Sequence, residues 1–256
     1  MSSGSAGSGD ERNEARRARI AELRAAEQAK AKRRRTWIVV AAVVVAALVA
    51  GGIAWAVSDS GSGSGTTTAS GFCGDVAPGT PNGKQWKTAP AMTIDTAATY
   101  TATLKTSCGD IGITLNAKAA PVTVNSFVFL AGQDYFDHTK CHRLTTGGLS
   151  VLQCGDPTGT GSGGPGYSFA DENLKGATYP AGTVAMANSG PNTNGSQFFL
   201  VYKDSQLPPS YTPFGTITAG MDILARIAAD GTADGSTDGA PKDTVVINSV
   251  PVTKKE

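Results

Sequence analysis

The hydrophobic and polar positions divide the chain into four stretches of different character. Residues 1–35 are polar and basic, and residues 36–57 form an apolar run without a single charge. Residues 58–98 are rich in Gly, Ser, Thr, Ala and Pro and lack sustained periodicity, which is typical of a flexible linker. Residues 99–256 carry the alternating and helical patterns of a folded domain. The pattern therefore predicts one globular domain that follows a linker.

Within this domain the pattern predicts many short strands and two helices. Residues 99–115, TYTATLKTSCGDIGITL, alternate as two strands joined by a turn, and residues 244–252, TVVINSVPV, form a last strand. Helices are predicted over residues 121–133, PVTVNSFVFLAGQ, and residues 220–230, GMDILARIAAD. Short strands with two helices favour a closed β-barrel capped by the helices.

The apolar run over residues 36–57 predicts a transmembrane anchor. As a helix rising ~1.5 Å per residue it is long enough to cross a bilayer, and tryptophans lie near both of its ends. The basic residues before it predict that residues 1–35 stay in the cytoplasm and that the domain lies outside the cell membrane. A cleaved signal peptide, with a site at Ala54–Ala56, is the alternative, but the long basic region weighs against cleavage.

Charge is nearly balanced overall, with a formal net charge of +1, which argues against a general nucleic-acid binder. The balance hides a split, because residues 1–35 carry ten basic and five acidic residues. Residues 58–256 carry twelve basic and sixteen acidic residues. We interpret the basic segment as a solvated helix near the membrane, with a cytoplasmic docking role as the alternative.

Four segments carry the candidate chemistry. They are CHRL (141–144), VLQCGDPTGTGSGGPGYSFADE (151–172), VAMANSGPNTNGSQFFLVY (184–202) and FGTITAGMDIL (214–224). In order and spacing they resemble the cyclophilin family of peptidyl-prolyl cis/trans isomerases, and the membrane-anchored members of actinobacteria most closely. The resemblance covers residues 99–252. It implies a mainly β fold, a closed eight-stranded antiparallel barrel capped by two α-helices.

The resemblance also implies a reaction, rotation about an X-Pro bond, that breaks no bond and needs no cofactor or metal. Such a site needs an apolar slot for the proline ring and a cation that favours the twisted amide. Arg143 matches the catalytic arginine, because its permanently charged guanidinium can stabilise the lone pair on nitrogen; the alternative is a surface ion pair. Phe199 would form the floor of the proline pocket beside Gln197, whereas Phe198 would face the core, because successive strand residues point to opposite sides.

The resemblance implies further residues along the substrate groove. Gln153 would lie near the arginine, and the backbone of Ala187 and Asn188 would pair with the substrate as an added strand. The other candidates for substrate binding are Leu207 on the pocket wall, Tyr211, Val151, Gly161 and Met186, the last of which we also expect in the core.

Three departures from well-known members affect the site. The hairpin over residues 143–153 is two residues longer than usual, and Leu149, Ser150 or Val151 stands where a phenylalanine commonly lines the pocket. Gln206 stands where many members carry a tryptophan that binds cyclosporin, so we predict weak cyclosporin binding. Tyr211 replaces a frequent histidine and keeps a ring with a polar tip.

The four cysteines allow two interpretations. Residues 138–142, HTKCH, together with Cys154 could hold zinc, but the spacing fits no common zinc pattern. Outside the membrane, four cysteines more readily form two disulfides. Placement across the hairpin favours Cys141–Cys154, which leaves Cys73–Cys108 to tie the linker to the barrel.

The predicted function is acceleration of X-Pro rotation in exported proteins, by a monomer whose partners are proline-containing peptides and unfolded exported proteins. The alternative is a proline-peptide binding module or chaperone with little turnover, which the altered hairpin and Gln206 would permit. Retention of Arg143, Gln197 and Phe199 favours the enzyme. The glycine-rich residues 159–166 lack the Lys-Ser/Thr of a phosphate loop, so we reject a nucleotide site.

Overall fold

The computed structural model describes residues 71–74 and 76–255. Within these residues the chain forms eleven strands and two helices. The strands are β1 (Thr99–Thr106), β2 (Gly109–Leu115), β3 (Thr139–Lys140), β4 (Arg143–Thr145), β5 (Val151–Cys154), β6 (Thr183–Met186), β7 (Phe198–Val201), β8 (Pro213–Ala219), β9 (Asp238–Gly239), β10 (Val246–Ser249) and β11 (Val252–Lys255). The helices are α1 (Pro121–Gly132) and α2 (Met221–Asp230).

Helix α1 forms where the periodicity predicts it. Proline at its first turn presets the backbone angle and gives up an N–H that would have no partner within the helix. The carboxylate of Glu172 accepts hydrogen bonds from the N–H groups of Val122 (3.1 Å) and Thr123 (2.8 Å), so a distant segment caps the helix. Val124 and Phe127 are buried on its inner face, and each such side chain stabilises the fold by ~1.5–3 kcal/mol.

Helix α2 forms within the predicted range of residues 220–230 and buries Leu224 and Ile227, which lie three residues apart on one face. It begins after Gly220, whose φ is +84°. A side chain there would place Cβ 2.7 Å from the carbonyl oxygen of Asp110, so only glycine allows the chain to turn into this helix.

The strands pair in the order β3-β10-β1-β2-β8-β6-β7-β5-β4-β9, with β11 added to β1, and the pairs are antiparallel. The predicted mainly β fold with two helices is confirmed. The closed ladder of eight strands is not, because the described strands form a half-barrel whose end strands are β3 and β9. Cys141 and His142 separate β3 from β4 along the chain, and Val250 and Pro251 separate β10 from β11, both of which pair with β1.

Strand β7 separates two packed clusters of side chains. Phe198 belongs to the main core, where its ring lies 5.6 Å from that of Phe127 and 5.7 Å from that of Phe136. Phe199 points to the opposite side, into a smaller cluster with Val151 and Tyr179. The alternation of the strand therefore builds a second apolar face outside the core.

Residues 76–98, which we call the strap, differ from the predicted flexible linker. They form no helix or strand, but they pack along the domain. The ring of Trp86 lies edge-on to that of Phe129, with centroids 5.1 Å apart, and the N–H of Thr93 donates to Asn125 Oδ1 over 2.9 Å. Single residues make these contacts, so they leave no periodic pattern in the sequence.

Both predicted disulfides, Cys73–Cys108 and Cys141–Cys154, are present. The first fixes the chain just before the strap to the turn between β1 and β2. In the part of the chain that the structure describes, none of the helices is both long and apolar enough to cross a bilayer. The predicted anchor, residues 36–57, and the basic segment, residues 1–35, lie outside the described residues.

Candidate active site

Arg143 lies on β4 between two polar partners on neighbouring strands. Its Nε and Nη2 donate to the two carboxylate oxygens of Asp238 on β9, each over 2.7 Å. Its Nη1 donates to Oε1 of Gln153, which lies directly opposite on β5, over 3.2 Å. The hydrogen bonds with Asp238 raise the pKa of Arg143 and lower the pKa of Asp238, so both groups are charged at neutral pH.

A chain of amide side chains continues from the arginine. Nε2 of Gln153 donates to Oε1 of Gln197 over 2.9 Å. Nε2 of Gln197 in turn donates to the carbonyl oxygens of Gly161 (3.0 Å) and Gly163 (2.9 Å). The side-chain amides of Gln153 and Gln197 thus each accept a hydrogen bond through the oxygen and donate through the nitrogen, which fixes the orientation of both side chains.

The glycine loop, residues 159–166, is itself held by a buried carboxylate. Asp156 is fully buried and accepts hydrogen bonds from the N–H groups of Thr158, Thr160, Gly161 and Gly163. Burial opposes the charged form of Asp156, but the hydrogen bonds, chiefly those from Thr158, lower its pKa overall. The loop carbonyls that Gln197 uses are therefore fixed in place by a charged group.

A small cavity of about 130 Å³ opens beside the arginine. It suits one amino-acid side chain rather than a drug-sized ligand, for which pockets of ~300–1,000 Å³ are usual. Its walls combine one cation with apolar and aromatic side chains. The lining residues are Arg143, Leu149, Val151, Gln153, Ala187, Asn188, Phe199, Leu207 and Tyr211.

The aromatic side of the small cavity is rigid. The rings of Phe199 and Tyr211 meet at 83° with centroids 5.5 Å apart, and Tyr179 packs against both. The hydroxyl of Tyr179 donates to the backbone carbonyl of Tyr211 over 2.7 Å. This bond ties the loop that carries Leu207 and Tyr211 to the floor of the cavity.

A large cavity of about 570 Å³ adjoins the small one. The two share Gln153, Ala187 and Asn188, so they form one continuous groove. Gln197 and Gly161 line the large cavity. Asn188 presents its backbone N–H and C=O without a hydrogen-bond partner within the described residues, as an edge for an added strand requires.

The family comparison agrees with this geometry. The family model described as "Cyclophilin type peptidyl-prolyl cis-trans isomerase/CLD" matches residues 101–252. The chain belongs to the cyclophilin family. The groove described above lies within the matched cyclophilin domain, apart from one wall that the strap supplies.

Similar curated proteins are named as peptidyl-prolyl cis-trans isomerases. The chain is 56% identical over 167 residues to "Probable peptidyl-prolyl cis-trans isomerase B" of Mycobacterium leprae. This match covers 60% of this chain and 57% of the relative. It is 45% identical over 171 residues to "Peptidyl-prolyl cis-trans isomerase B" of Streptomyces anulatus, covering 59% of this chain and 95% of the relative. The chain thus spans little more than half the length of the mycobacterial relative.

Solved structures support the fold. A crystal structure of a cyclophilin type peptidyl-prolyl cis-trans isomerase from Cryptosporidium parvum matches with a TM-score of 0.54 at 30% identity, covering 62% of this chain and 99% of that one. A second structure of that cyclophilin, in the presence of the dipeptide Ala-Pro, matches with a TM-score of 0.53 at 30% identity, covering 60% of this chain and 99% of that one.

The structure brings most of the sequence-predicted site residues together in the cyclophilin domain. Met186 is the exception, because it is 3% exposed and belongs to the main core rather than to either cavity. The expected core position of Met186 is thus confirmed and its role in substrate binding is corrected, since Val184 and Met186 of β6 point into the main core and Ala185 points to the other face. Of the three candidates for the usual phenylalanine, Leu149 and Val151 line the small cavity, whereas Ser150 is buried against Ser205.

The alternative zinc site is not formed. Cys141 and Cys154 are joined in a disulfide, and no group of three or more metal-ligating side chains occurs among the residues described. Burial lowers the pKa of His142, so this ring is neutral at pH 7.

Two residues at the site were not predicted from the sequence. Asp238 lies on β9, a strand of only two residues that is distant from Arg143 in sequence. So short a strand shows no alternation of polar and apolar residues that could be recognised in the sequence. Gln85 belongs to the strap and lines the large cavity. Its only signal is the adjacent Trp86, an isolated large aromatic in a stretch otherwise typical of a linker.

Proposed function

We propose that this chain is a peptidyl-prolyl cis/trans isomerase that binds proline in the small cavity and acts on the X-Pro bond with Arg143. One observation carries the proposal: a permanently charged guanidinium, held from two sides, lies at the edge of a cavity for a single side chain whose other walls include Phe199 and Leu207. The family membership and the names of the relatives support the same reaction.

The energetic demand on such a site is moderate. Uncatalysed rotation crosses a barrier of ~18–20 kcal/mol and takes tens to hundreds of seconds. Reaching ~10²–10³ events per second requires lowering this barrier by ~5–7 kcal/mol, at 1.36 kcal/mol per tenfold. A charge-assisted hydrogen bond supplies ~1.5–3 kcal/mol, and more where water is excluded. Desolvation in the cavity and clamping of the flanking backbone would contribute the remainder.

The arginine keeps donors free for the substrate. A guanidinium has five N–H donors, of which three bind Asp238 and Gln153. One N–H on Nη1 and one on Nη2 therefore have no partner within the described residues. In the twisted amide the nitrogen lone pair is localised, and a hydrogen bond to the prolyl residue favours that state over both planar ones.

The substrate backbone would add to the groove as an extended strand. The free N–H and C=O of Asn188 would pair with the residue before proline, and Gln197 would contact the backbone farther along. The Cryptosporidium parvum cyclophilin structure determined in the presence of Ala-Pro supports a proline-containing peptide as ligand.

One observation favours a second candidate, a proline-peptide binding module with little turnover. Asp238 compensates the charge of Arg143 through both of its oxygens, which weakens the field that the guanidinium can apply to the amide. The test is magnetisation-exchange NMR on an Ala-Pro peptide with catalytic amounts of the full chain. Rapid exchange between cis and trans peptide supports the isomerase, whereas chemical-shift changes at stoichiometric protein, without accelerated exchange, support the binding module.

The cellular setting is a further proposal. We infer that residues 36–57 anchor the chain in the cell membrane and that the domain acts outside it on unfolded exported proteins, as a monomer. The charge-free apolar run, the basic residues before it and the two disulfides support this setting, because disulfides persist in oxidising compartments. Protease digestion of intact cells tests it: the domain is degraded if it lies outside and protected if it lies inside.

A further inference from the structure

We propose that Gln85 of the strap is a specificity-determining residue of the substrate groove, and that the large cavity selects an uncharged polar side chain near the proline. This inference rests on the proposed function, since it takes the groove to bind an extended peptide. It goes beyond the family match, because that match begins at residue 101 and does not include the strap.

The small and large cavities are connected, so one bound peptide can reach both. They share Gln153, Ala187 and Asn188 as a common rim. An extended peptide whose proline occupies the small cavity and whose backbone pairs at Asn188 must pass over this rim. A residue close to the proline therefore projects its side chain into the large cavity.

The strap forms a fixed wall of the large cavity. Gln85 Nε2 donates to the carbonyl oxygen of Gly164 over 2.7 Å, and the N–H of Trp86 donates to that of Pro165 over 2.9 Å. Gly166 is the point of closest approach, where a Cβ would lie 2.8 Å from Trp86 O and 2.9 Å from Gln85 Oε1. The ring of Trp86 packs on Phe129 and anchors this arrangement.

The side chain of Gln85 can take part in binding. Its Nε2 is used by the glycine loop, but Oε1 accepts no hydrogen bond within the described residues. Gln85 is exposed at the cavity, so this oxygen can accept from a donor on the substrate without a rearrangement of the strap.

The chemistry of the large cavity defines the class of side chain that fits. Its described lining is mostly polar, made of backbone groups, hydroxyls and the neutral amides of Gln85, Gln153, Asn188 and Gln197, with some apolar surface such as Pro165 and Ala187 and no charged side chain. A charge brought into such a cavity loses water and gains no counter-charge, which costs free energy. An amide or hydroxyl exchanges its hydrogen bonds with water for those with the lining. Asn, Gln, Ser or Thr next to the proline is the expected preference.

Charge reversal at Gln85 tests this contact. The full chain and its Gln85→Glu and Gln85→Lys variants are compared on proline peptides that carry Asn, Asp or Lys at one position at a time on either side of proline. Thr88→Glu and Thr88→Lys are the matched controls, because Thr88 is exposed on the same strap, does not line the cavity and gives the same charge changes. Binding by chemical-shift titration and exchange rates are both measured.

At one peptide position, the wild type should prefer Asn to both Asp and Lys. At that position Gln85→Glu should favour the Lys peptide over the Asp peptide by at least about threefold, and Gln85→Lys should reverse the order, as an exposed ion pair would. The Thr88 variants should match wild type. Equal effects of both Gln85 variants on every peptide, or no effect, would overturn the proposal.

The two readouts separate this proposal from the proposed function. If no peptide is isomerised but the reversal appears in binding, the proposed isomerase activity is wrong and the role of Gln85 stands. If peptides are isomerised without the reversal, the isomerase stands and the role of Gln85 fails. If the wild type neither binds nor isomerises any peptide, both are wrong.

Discussion

The carboxylate of Asp238 holds the guanidinium of Arg143 through two hydrogen bonds of 2.7 Å each. The two side chains are 53% and 39% exposed, so solvent screens their attraction and the pair adds little to the stability of the fold. Its effect is geometric, because two parallel bonds fix the plane of the guanidinium beside the small cavity that Arg143 lines.

Replacing Asp238 with Asn should therefore reduce isomerisation without unfolding the protein. The amide of the variant could keep one of the two bonds, so the guanidinium would regain rotational freedom and lose part of its alignment. We expect kcat/KM to fall about three- to tenfold, mostly in kcat, corresponding to about 0.7–1.4 kcal/mol. Exchange rates at several peptide concentrations measure this. An increase in kcat would contradict it and would mean that Asp238 restrains the arginine's charge.

The ion pair of Arg143 and Asp238 should set the lowest pH at which isomerisation is fully active. The hydrogen bond from Arg143 lowers the pKa of Asp238 below its ordinary 3.8, so the carboxylate stays charged as the pH falls to about that value. A lowered folded-state pKa contributes stability above the unfolded value, and this contribution disappears as the pH falls through the folded pKa. The contribution of the pair to activity should be constant from pH 7 down to the ordinary value of 3.8 and should be lost only below it. The ratio of wild-type to Asp238→Asn rates measures it, and a ratio that changes near about pH 6 would contradict it.

Phe198 and Phe199 offer a matched pair of substitutions, because they are neighbours in β7 with rings on opposite faces. Phe198→Ala should lower the free energy of unfolding by about 3–5 kcal/mol, the usual cost of emptying a core position of this size. Phe199→Ala should lower it less, because its ring borders an open cavity, and should weaken peptide binding strongly. Urea unfolding and peptide titration give both quantities. Equal losses of stability with unchanged binding would refute the assignment of the two faces.

Gln206 leads to a prediction about cyclosporin. The wild type should bind this inhibitor weakly, because Gln206 stands where the family resemblance places a tryptophan, beside Leu207 on the cavity wall. Gln206→Trp should strengthen inhibition at least about tenfold, or about 1.4 kcal/mol, which an aromatic anchor readily supplies. Lys118→Trp is a control, because Lys118 is exposed and lies outside both cavities. Tight inhibition of the wild type would contradict this account.

Elements whose polar and apolar residues alternate regularly along the chain could be predicted from the sequence. The helix predicted over residues 121–133 is found at Pro121–Gly132, and the alternation through β7 predicts two rings on opposite sides. The alternation of β6 likewise agrees with the expected core position of Met186 and excludes it from the groove. Resemblance to a family supplied Arg143 and its neighbours, because no periodic pattern indicates a catalytic arginine.

The remaining features depend on contacts between segments that are distant in sequence. Asp238 reaches Arg143 only because β9 pairs with β4, and a strand of two residues leaves no pattern to detect. The strap is fixed by the packing of Trp86 on Phe129 and by the hydrogen bond from the N–H of Thr93 to Asn125. Each is an isolated contact in a stretch whose composition is typical of linkers. Pro251 likewise marks a single position, without an N–H, that separates β10 from β11 along the edge of β1.

The central claim is that the charge and geometry of Arg143 lower the barrier to X-Pro rotation. It is tested most directly by measuring cis/trans exchange of an Ala-Pro peptide by NMR with the wild type, Arg143→Ala and Arg143→Lys, each first shown to be folded. We expect Arg143→Ala to lose at least ~30-fold, or about 2 kcal/mol, while still binding peptide. Arg143→Lys should recover little, because an ammonium cannot make the paired bonds to Asp238 and also reach the substrate. An Arg143→Ala variant that isomerises as fast as the wild type would contradict the account.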